Sequence, residues 1–302
     1  MLYLRAAAGL LPTRRPSTLP DRTLTQSGVR VDLAHLAAYD RVCGFRLSDT
    51  LPATYPHLLA FPLAMRLMVG SDFPFPVIGL VHVANRITAR SVRADAELDI
   101  AVHADNLRPH AKGRQFDVVA VASHGGSEVW RGVSTYLSRS ASSAGASPAG
   151  ASPAGASPAG TSPAGTSPAG TSPAGASPAA GGGRGPASTF HPPPASAIWR
   201  VPPRTGTDYA EVSGDHNPIH TSRIGARLFG FPKPIAHGMW TKARCLAALE
   251  GRLPGEYTVD VAFKQPILLP ARVSFHAAPT GTGWEFRVDG KRPHLAGVVT
   301  PP

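Results

Sequence analysis

A low-complexity repeat near the middle of the chain limits what the rest can fold into. The pentapeptide Ala/Thr-Ser-Pro-Ala-Gly recurs from Ala146 to Ala180, and Gly181-Gly-Gly and His191-Pro-Pro-Pro follow it. Proline at every fifth position interrupts helices and central strands alike. The small side chains also bury too little apolar surface to offset the entropy of ordering. We therefore interpret 141–195 as a disordered linker, with a docking or modification segment as the alternative.

The linker leaves two segments that are each long enough for one hydrophobic core. The chain has 302 residues, and roughly 110 residues is an ordinary size for a single domain. We expect an N-terminal tail over 1–20, a first domain over 21–140 and a second domain over 196–302. The apolar run in the tail is too short for a membrane span or a convincing secretory signal, and a basic targeting extension is the alternative.

A dodecapeptide in the second segment carries the strongest chemical signal. Residues 209–220 read Tyr-Ala-Glu-Val-Ser-Gly-Asp-His-Asn-Pro-Ile-His. Asp215 and His220 are five positions apart, so one helical face cannot hold both, but Asn-Pro favours a turn that would bring them to one water. A carboxylate and an imidazole placed in this way suit general acid-base catalysis. The alternative is an ordinary surface turn, in which the carboxylate bonds nearby backbone N–H groups.

A second stretch predicts a buried helix with a glycine at its entry. Residues 235–241 read Ile-Ala-His-Gly-Met-Trp-Thr and lead into an apolar helix that Gly251 would end. Gly238 would leave backbone N–H groups at the positive end of the helix dipole, with no side chain to obstruct a ligand oxygen. This suits an oxyanion hole, and close packing of two backbones is the alternative interpretation.

The first segment repeats the order of these features without the chemistry. Tyr39–Phe45 aligns with Tyr209–Asp215, and a helix candidate over 63–70 precedes several strand candidates. Phe45 stands at the position of Asp215, and no Asn-Pro-x-His follows it. We expect a second copy of one fold that lacks the acid-base groups. An unrelated α+β domain is the alternative.

These residues together resemble the MaoC-like, or type 2, enoyl thioester hydratases and dehydratases of the hotdog fold. The family signature is an aromatic residue and Ser-Gly-Asp-x-Asn-Pro-hydrophobic-His, followed by an Ile-Ala-His-Gly-Met entry into the central helix. Residues 209–220 and 235–239 reproduce both parts in order and spacing. The resemblance extends over residues 195–302.

The resemblance implies an α+β fold, a double hotdog in which each of two tandem domains wraps an antiparallel sheet around a long central helix. The two domains would pair as an intramolecular pseudo-dimer, and a homodimer of such chains is left open. By resemblance, the non-catalytic half helps to form the acyl-chain tunnel at the interface. The large side chains of Trp240 and His216 stand near the expected pocket, and their size predicts a shorter tunnel.

The implied reaction interconverts a (3R)-hydroxyacyl thioester and a trans-2-enoyl thioester of fatty acid metabolism, without a cofactor or a metal. Asp215 and His220 would be the catalytic pair, and Asn217 would support the site. The backbone N–H of Gly238 would bind the thioester carbonyl. The other residues expected to contact the substrate are Ser213, Tyr209 and His237.

The alternative function on the same fold is a non-catalytic acyl-thioester-binding or assembly subunit, and a hotdog thioesterase is a further one. The intact Asp-x-Asn-Pro-x-His favours the lyase. A formal net charge of +11 favours anionic partners, such as coenzyme A or the acidic surface of acyl carrier protein. No motif in the sequence indicates a nucleic-acid-binding module. The two cysteines, one in each half, favour the reducing cytoplasm over a disulfide.

Overall fold

The part of the chain that the structure describes consists of two halves in which strands and helices follow one order. The strands of both halves form a single antiparallel sheet. The computed structural model describes residues 15–139 and 194–302. The linker predicted over 141–195 lies almost entirely outside these residues, as does most of the predicted tail. Within the described ranges, no helix is long and apolar enough to cross a membrane.

Each half contributes five strands, and the strands run in the same order in both halves. The first half consists of β1 (Leu24–Val29), α1 (Leu33–Cys43), α2 (Tyr55–Met68), β2 (Val81–Arg90), β3 (Leu98–His110), β4 (Gly113–His124) and β5 (Ser127–Arg139). The second half consists of β6 (Ala197–Val201), α3 (Thr205–Ser213), α4 (Pro218–Thr221), α5 (Arg223–Leu228), α6 (Gly238–Ala248), β7 (Glu256–Phe263), β8 (Ala271–Pro279), β9 (Trp284–Asp289) and β10 (Pro293–Thr300). The sheet order is β1-β3-β4-β5-β2-β7-β10-β9-β8-β6. The second half thus repeats the topology of the first in reverse order across the sheet, which confirms the predicted double hotdog.

The aligned helices α1 and α3 end in the same way. Gly44 follows α1 with a φ of 83°, and Gly214 follows α3 with a φ of 71°. Each glycine N–H donates to the carbonyl four residues back, at Asp40 and Ala210 respectively. Only glycine adopts this left-handed conformation without strain, so the two glycines end the helices at equivalent positions. This supports the alignment of the two halves that the sequence predicts.

The two halves join where β2 pairs with β7. On the outer face of this seam, residues directly opposite each other are bonded through their side chains, namely Arg86 with Asp260, Thr88 with Thr258, and Arg90 with Glu256. The two ion pairs are largely exposed to solvent. Exposed ion pairs each contribute little stability, typically less than about 1 kcal/mol. These pairs therefore select the register of the seam more than they stabilise it.

A fully buried lysine lies on the inner side of the same seam. Nζ of Lys242, on α6, donates to the backbone carbonyl of Asn85 at 3.0 Å, to the Asn85 side-chain oxygen at 2.6 Å, and to the carbonyl of Val259 at 3.1 Å. Burial lowers the pKa of Lys242, but these three acceptors match the three N–H bonds of an ammonium group. Asn85 belongs to β2 and Val259 to β7. One amine therefore ties the central helix to a strand from each half.

Replacing Lys242 with alanine should destabilise the whole pseudo-dimer. The change would leave buried acceptors on both central strands without a donor, at an expected cost of about 3 kcal/mol or more in the free energy of unfolding. For a protein of this size, that corresponds to a fall in Tm of roughly 6–12 °C, measurable by thermal unfolding. Arg86→Ala at the exposed side of the same seam is the matched control and should cost less than about 1 kcal/mol. Equal small losses in the two variants would contradict this role of Lys242.

Candidate active site

The predicted catalytic loop is a series of tight turns between α3 and α4. Ser213 Oγ accepts from the backbone N–H of Asp215 at 3.2 Å, and Asp215 Oδ1 accepts from that of Asn217 at 3.2 Å. Asn217 Oδ1 then accepts from the N–H of Ile219 at 3.3 Å and caps α4, in which Pro218 is the first residue. Short polar side chains that bond the backbone two residues on are typical of such turns. Ser213 and Asn217 thus hold the loop in shape.

The turns bring Asp215 and His220 to one cavity, as the sequence predicts. Both residues line this cavity. His220 Nδ1 donates to the backbone carbonyl of Ile235 at 2.8 Å, and this bond fixes the tautomer because a carbonyl can only accept. Nε2 therefore carries the lone pair. Burial lowers the pKa of His220, so its imidazole is neutral near neutral pH and can accept a proton.

His237 fastens the catalytic loop to the start of α6. Its ring stacks on that of His220, with centroids 3.6 Å apart and planes at 25°. Its Nε2 donates to the backbone carbonyl of Asp215 at 3.0 Å. Burial, and then the neighbouring His220, hold the pKa of His237 to about 3, so this ring stays neutral. His237 is only 3% exposed, and it lines the cavity beside His220.

Tyr209 supports this arrangement from the core. It is 2% exposed, and its ring centroid lies 4.9 Å from that of His237 and 6.3 Å from that of Tyr39 in the first half. Burial raises the pKa of Tyr209 well above its usual value, so the phenol remains protonated. The aligned tyrosines of the two halves thus pack together behind the catalytic loop.

Gly238 begins α6 directly beside these groups. As the first helical residue, it has a backbone N–H without an acceptor inside the helix. A Cβ atom at this position would lie 3.0 to 3.2 Å from three ring atoms of Phe263. The glycine therefore serves close packing against an aromatic ring and also keeps the helix N-terminus open. The close contact is with an aromatic side chain and not with a second backbone, and the oxyanion role of Gly238 stays a prediction.

Asp215, His220 and His237 also form the group that comes nearest to a metal site in residues 15–139 and 194–302. One ligand atom from each lies within 4.8 Å of the others. Each of the two imidazole rings already uses one nitrogen to donate to a backbone carbonyl, His220 to that of Ile235 and His237 to that of Asp215. The structure therefore gives each ring a hydrogen-bonding role in holding the loop.

The first half supplies the opposite wall of the cavity. One stripe of α2 faces the cavity with residues at helical spacing, which are His57, Leu58, Phe61, Met65 and Met68. Phe61 lies 3.9 Å from where a Cβ atom of Gly214 would stand, so this stripe begins beside the catalytic loop. The loop over 76–80 and the first residue of β2, Val81, continue the lining. The half without the catalytic motif therefore lines part of the cavity, and the binding of an acyl chain by this surface stays a prediction.

His82 and Tyr136 complete this wall with polar groups that sequence reasoning missed. The ring of His82 lies 4.8 Å from that of Tyr136, at 20°, and 4.9 Å from that of Phe263. The register of β2 on β5 shifts between His82 and Ala84, and such bulges re-aim side chains. Burial holds the pKa of His82 to about 3. No spacing within the first half signals this placement, because it depends on pairing with β5 and β7.

The structure contradicts the predicted shortening of the tunnel by Trp240 and His216. Trp240 Nε1 donates to the carbonyl of Val42 at 3.0 Å, so the indole faces α1, while its neighbours Met239 and Thr241 line the cavity. His216 points to solvent. The prediction was wrong because it judged side-chain size without the direction of each residue on α6 and on the loop.

Comparison with known proteins agrees with this fold. Residues 192–292 match the family model of the MaoC like domain. Over 301 residues the chain is 37% identical to 3-hydroxyacyl-thioester dehydratase X of Mycobacterium tuberculosis, covering 98% of this chain and 95% of that protein.

Solved structures give the same result. A crystal structure of HtdX from M. tuberculosis has a TM-score of 0.73 at 33% identity, covering 93% of this chain and 100% of the other. A MaoC-like dehydratase from Phytophthora capsici has a TM-score of 0.65 at 16% identity, covering 94% of this chain and 96% of the other, and so shares the fold. On these findings the chain belongs to the MaoC-like dehydratase family.

Proposed function

We propose that the chain is a hydro-lyase that interconverts (3R)-3-hydroxyacyl and trans-2-enoyl thioesters in fatty acid metabolism. The observation that carries this proposal is the meeting of a carboxylate, a neutral imidazole and an open helix N-terminus in one cavity, at Asp215, His220 and Gly238. The M. tuberculosis relative is named a 3-hydroxyacyl-thioester dehydratase, which supports the same reaction class.

The geometry suggests how the proton moves. In hydration, a water beside Asp215 would add its oxygen to C3 while His220 Nε2 takes a proton from it. The electrons of the double bond would move towards the thioester oxygen, where the N–H of Gly238 stabilises the charge. The imidazolium then lies beside the Asp215 carboxylate, which stabilises it until the proton passes to C2. Dehydration is the reverse, and no atom is left over in either direction.

We assign the remaining predicted residues to positioning. Ser213 and Asn217 support the loop through backbone hydrogen bonds, and His237 holds the loop against α6. Tyr209 packs behind His237. Replacing any of these residues would then change activity by displacing the Asp215 carboxylate and the His220 imidazole. It would not remove a contact with the reacting carbon atoms.

The substrate is an acyl thioester. We also propose which carrier holds the acyl group and in which compartment the protein acts. The net charge of +11 supports an anionic carrier, either coenzyme A or acyl carrier protein. Cys43 and Cys245 are buried free thiols, in keeping with the cytoplasm. We propose that the two domains span 21–140 and 196–302. Two such chains can also form a homodimer in this proposal.

The apolar stripe of α2 supports an acyl tunnel that leads away from the catalytic loop. From Phe61 to Met68 the helix advances about 10 Å, since each residue adds about 1.5 Å. Methionine side chains adapt to a moving or variable apolar ligand. The stripe therefore favours acyl chains longer than the shortest enoyl substrate.

Replacing either proton-transfer group should abolish most of the activity. Asp215→Asn and His220→Ala should each lower kcat for hydration of crotonyl coenzyme A by roughly 10²–10⁴-fold, because each removes a group that holds or moves the proton. The assay is the loss of absorbance of the conjugated thioester. His216→Ala, in the same loop but exposed, is the matched control and should keep wild-type activity. A folded wild type that binds acyl thioesters but hydrates none of them would favour the alternative of a binding subunit.

A methyl group at Gly238 should disturb the oxyanion site through Phe263. Because the added Cβ atom would meet the ring at about 3 Å, Gly238→Ala should shift the helix N-terminus and lower kcat by roughly 10²-fold. The double variant Gly238→Ala/Phe263→Leu makes room for the methyl group and should recover part of the loss. Wild-type kcat in the single variant would count against this use of the helix N-terminus.

A larger side chain halfway along the stripe should shorten the accepted acyl chain. Met65→Trp should retain turnover of crotonyl coenzyme A and lose turnover of trans-2-decenoyl coenzyme A, and Met65→Phe should show a smaller effect. The measurement is kcat/KM across acyl lengths. Trp240→Leu is the control, because this indole faces α1, and its length profile should match the wild type. A parallel loss at every length in the Met65 variants would contradict the tunnel.

A further inference from the structure

A histidine of the half that lacks the catalytic motif faces the same cavity as Asp215. His57 stands on the first turn of α2, at the end of the stripe that contacts the catalytic loop. Phe61, one turn further along, is the residue that approaches Gly214. His57 is half-buried rather than sealed, and its open side is the cavity. The first half thus brings a polar side chain, as well as apolar ones, to the reacting end of the tunnel.

Three charged or titratable groups on different elements interact electrostatically with His57. They are the Asp215 carboxylate of the catalytic loop, the Lys242 amine of α6 and the His82 ring of β2. Across residues 15–139 and 194–302, no hydrogen bond from another side chain or from the backbone occupies the ring of His57. Its nitrogens are therefore available to a ligand in the cavity.

His57 is neutral under ordinary conditions. Burial, and then the charge of Lys242, lower its pKa to about 4, against the opposing effect of Asp215. A neutral imidazole has one N–H donor and one nitrogen acceptor. It can donate to an alcohol oxygen and accept from the alcohol hydrogen, as a bound hydroxyl requires.

The substrate of the proposed reaction has a polar group that needs such a partner. The hydroxyl at C3, or the water that takes its place in the enoyl complex, enters a cavity whose α2 wall is otherwise apolar. A hydroxyl placed against apolar side chains without a hydrogen bond costs roughly 1–3 kcal/mol. A donor aimed at the oxygen would also stabilise the negative charge that develops there as the C–O bond breaks.

We propose that His57 binds the C3 hydroxyl of the hydroxyacyl thioester, and the water that replaces it, so that the first half completes the active site of the second. The proposal rests on the proposed function, and it adds a hydroxyl-binding residue opposite the acid-base pair. His57 touches the oxygen that leaves, Asp215 and His220 handle the proton, and Gly238 binds the carbonyl.

The first experiment compares turnover in three variants of the full chain. His57→Leu removes both hydrogen-bonding atoms and should lower kcat for crotonyl coenzyme A by roughly 10- to 100-fold, with KM changed by less than about threefold, because the lost bond matters most in the transition state. His57→Gln restores a donor and an acceptor and should recover much of the loss. His103→Leu on β3, outside the cavity lining, is the matched control and should behave as wild type.

The second experiment measures binding and does not depend on turnover. In the Asp215→Asn background, the dissociation constants of (3R)-hydroxybutyryl and butyryl coenzyme A give the preference for the hydroxyl. Adding His57→Leu should reduce this preference about 3- to 10-fold, as expected for one hydrogen bond, and should leave the affinity for butyryl coenzyme A unchanged. A fold defect would weaken both ligands equally.

The outcomes separate this inference from the proposed function. An active wild type in which His57→Leu changes neither kcat nor the hydroxyl preference would overturn the role of His57 and leave the lyase intact. A wild type inactive on every enoyl length would overturn the proposed function. The binding comparison would then decide alone whether His57 selects a hydroxylated acyl chain, and an unchanged preference would reject it.

Discussion

The antiparallel pairing of β2 with β7 is the contact on which the rest of the structure depends. It makes one sheet of two five-stranded halves, with Ala84 to Arg90 opposite Glu256 to Ala262. The exposed ion pairs on the outer face contribute little, whereas the buried amine of Lys242 must keep all its hydrogen bonds. Because its acceptors lie on both strands, a slip of one residue would turn the Asn85 side chain to the other face and move the carbonyls of Asn85 and Val259 out of their present alignment. The buried cation therefore enforces one register.

This register also determines the shape of the active site. His82 of β2 packs on Phe263 of β7, and Phe263 in turn packs against Gly238 at the start of α6. The position proposed for the thioester oxygen is therefore defined by a strand from the half that lacks the catalytic motif. The half that lacks the catalytic motif thus has a structural role, since its His82 and Tyr136 form a ring stack and its residues line one wall of the cavity.

The features that could be predicted from the sequence are those that depend on residues close together in the chain. The ends of α1 and α3 follow from glycines at aligned positions, and the loop from Asp215 to Asn217 follows from short side chains that bond their own backbone. The burial of Lys242, the direction of Trp240 and the placement of His57 could not be predicted in this way. Their partners lie on segments far away in sequence, such as Asn85 for Lys242 and Val42 for Trp240. No spacing within one half reveals such contacts.

The asymmetry between the halves follows from the same packing. At the position of Asp215, the first half has Phe45, whose ring stacks on Tyr39 at 6.2 Å, so an apolar contact fills the place of the carboxylate. The chain then runs from α1 to α2 without counterparts of α4 and α5, which in the second half carry and follow the histidine of the motif. Because the first half has no second loop of this kind, the start of α2 lies beside the catalytic loop of the second half. A twofold sheet thereby gives one site with two different walls, in which one wall carries the proposed acid-base pair and the other carries the apolar stripe of α2 and the proposed hydroxyl-binding residue His57.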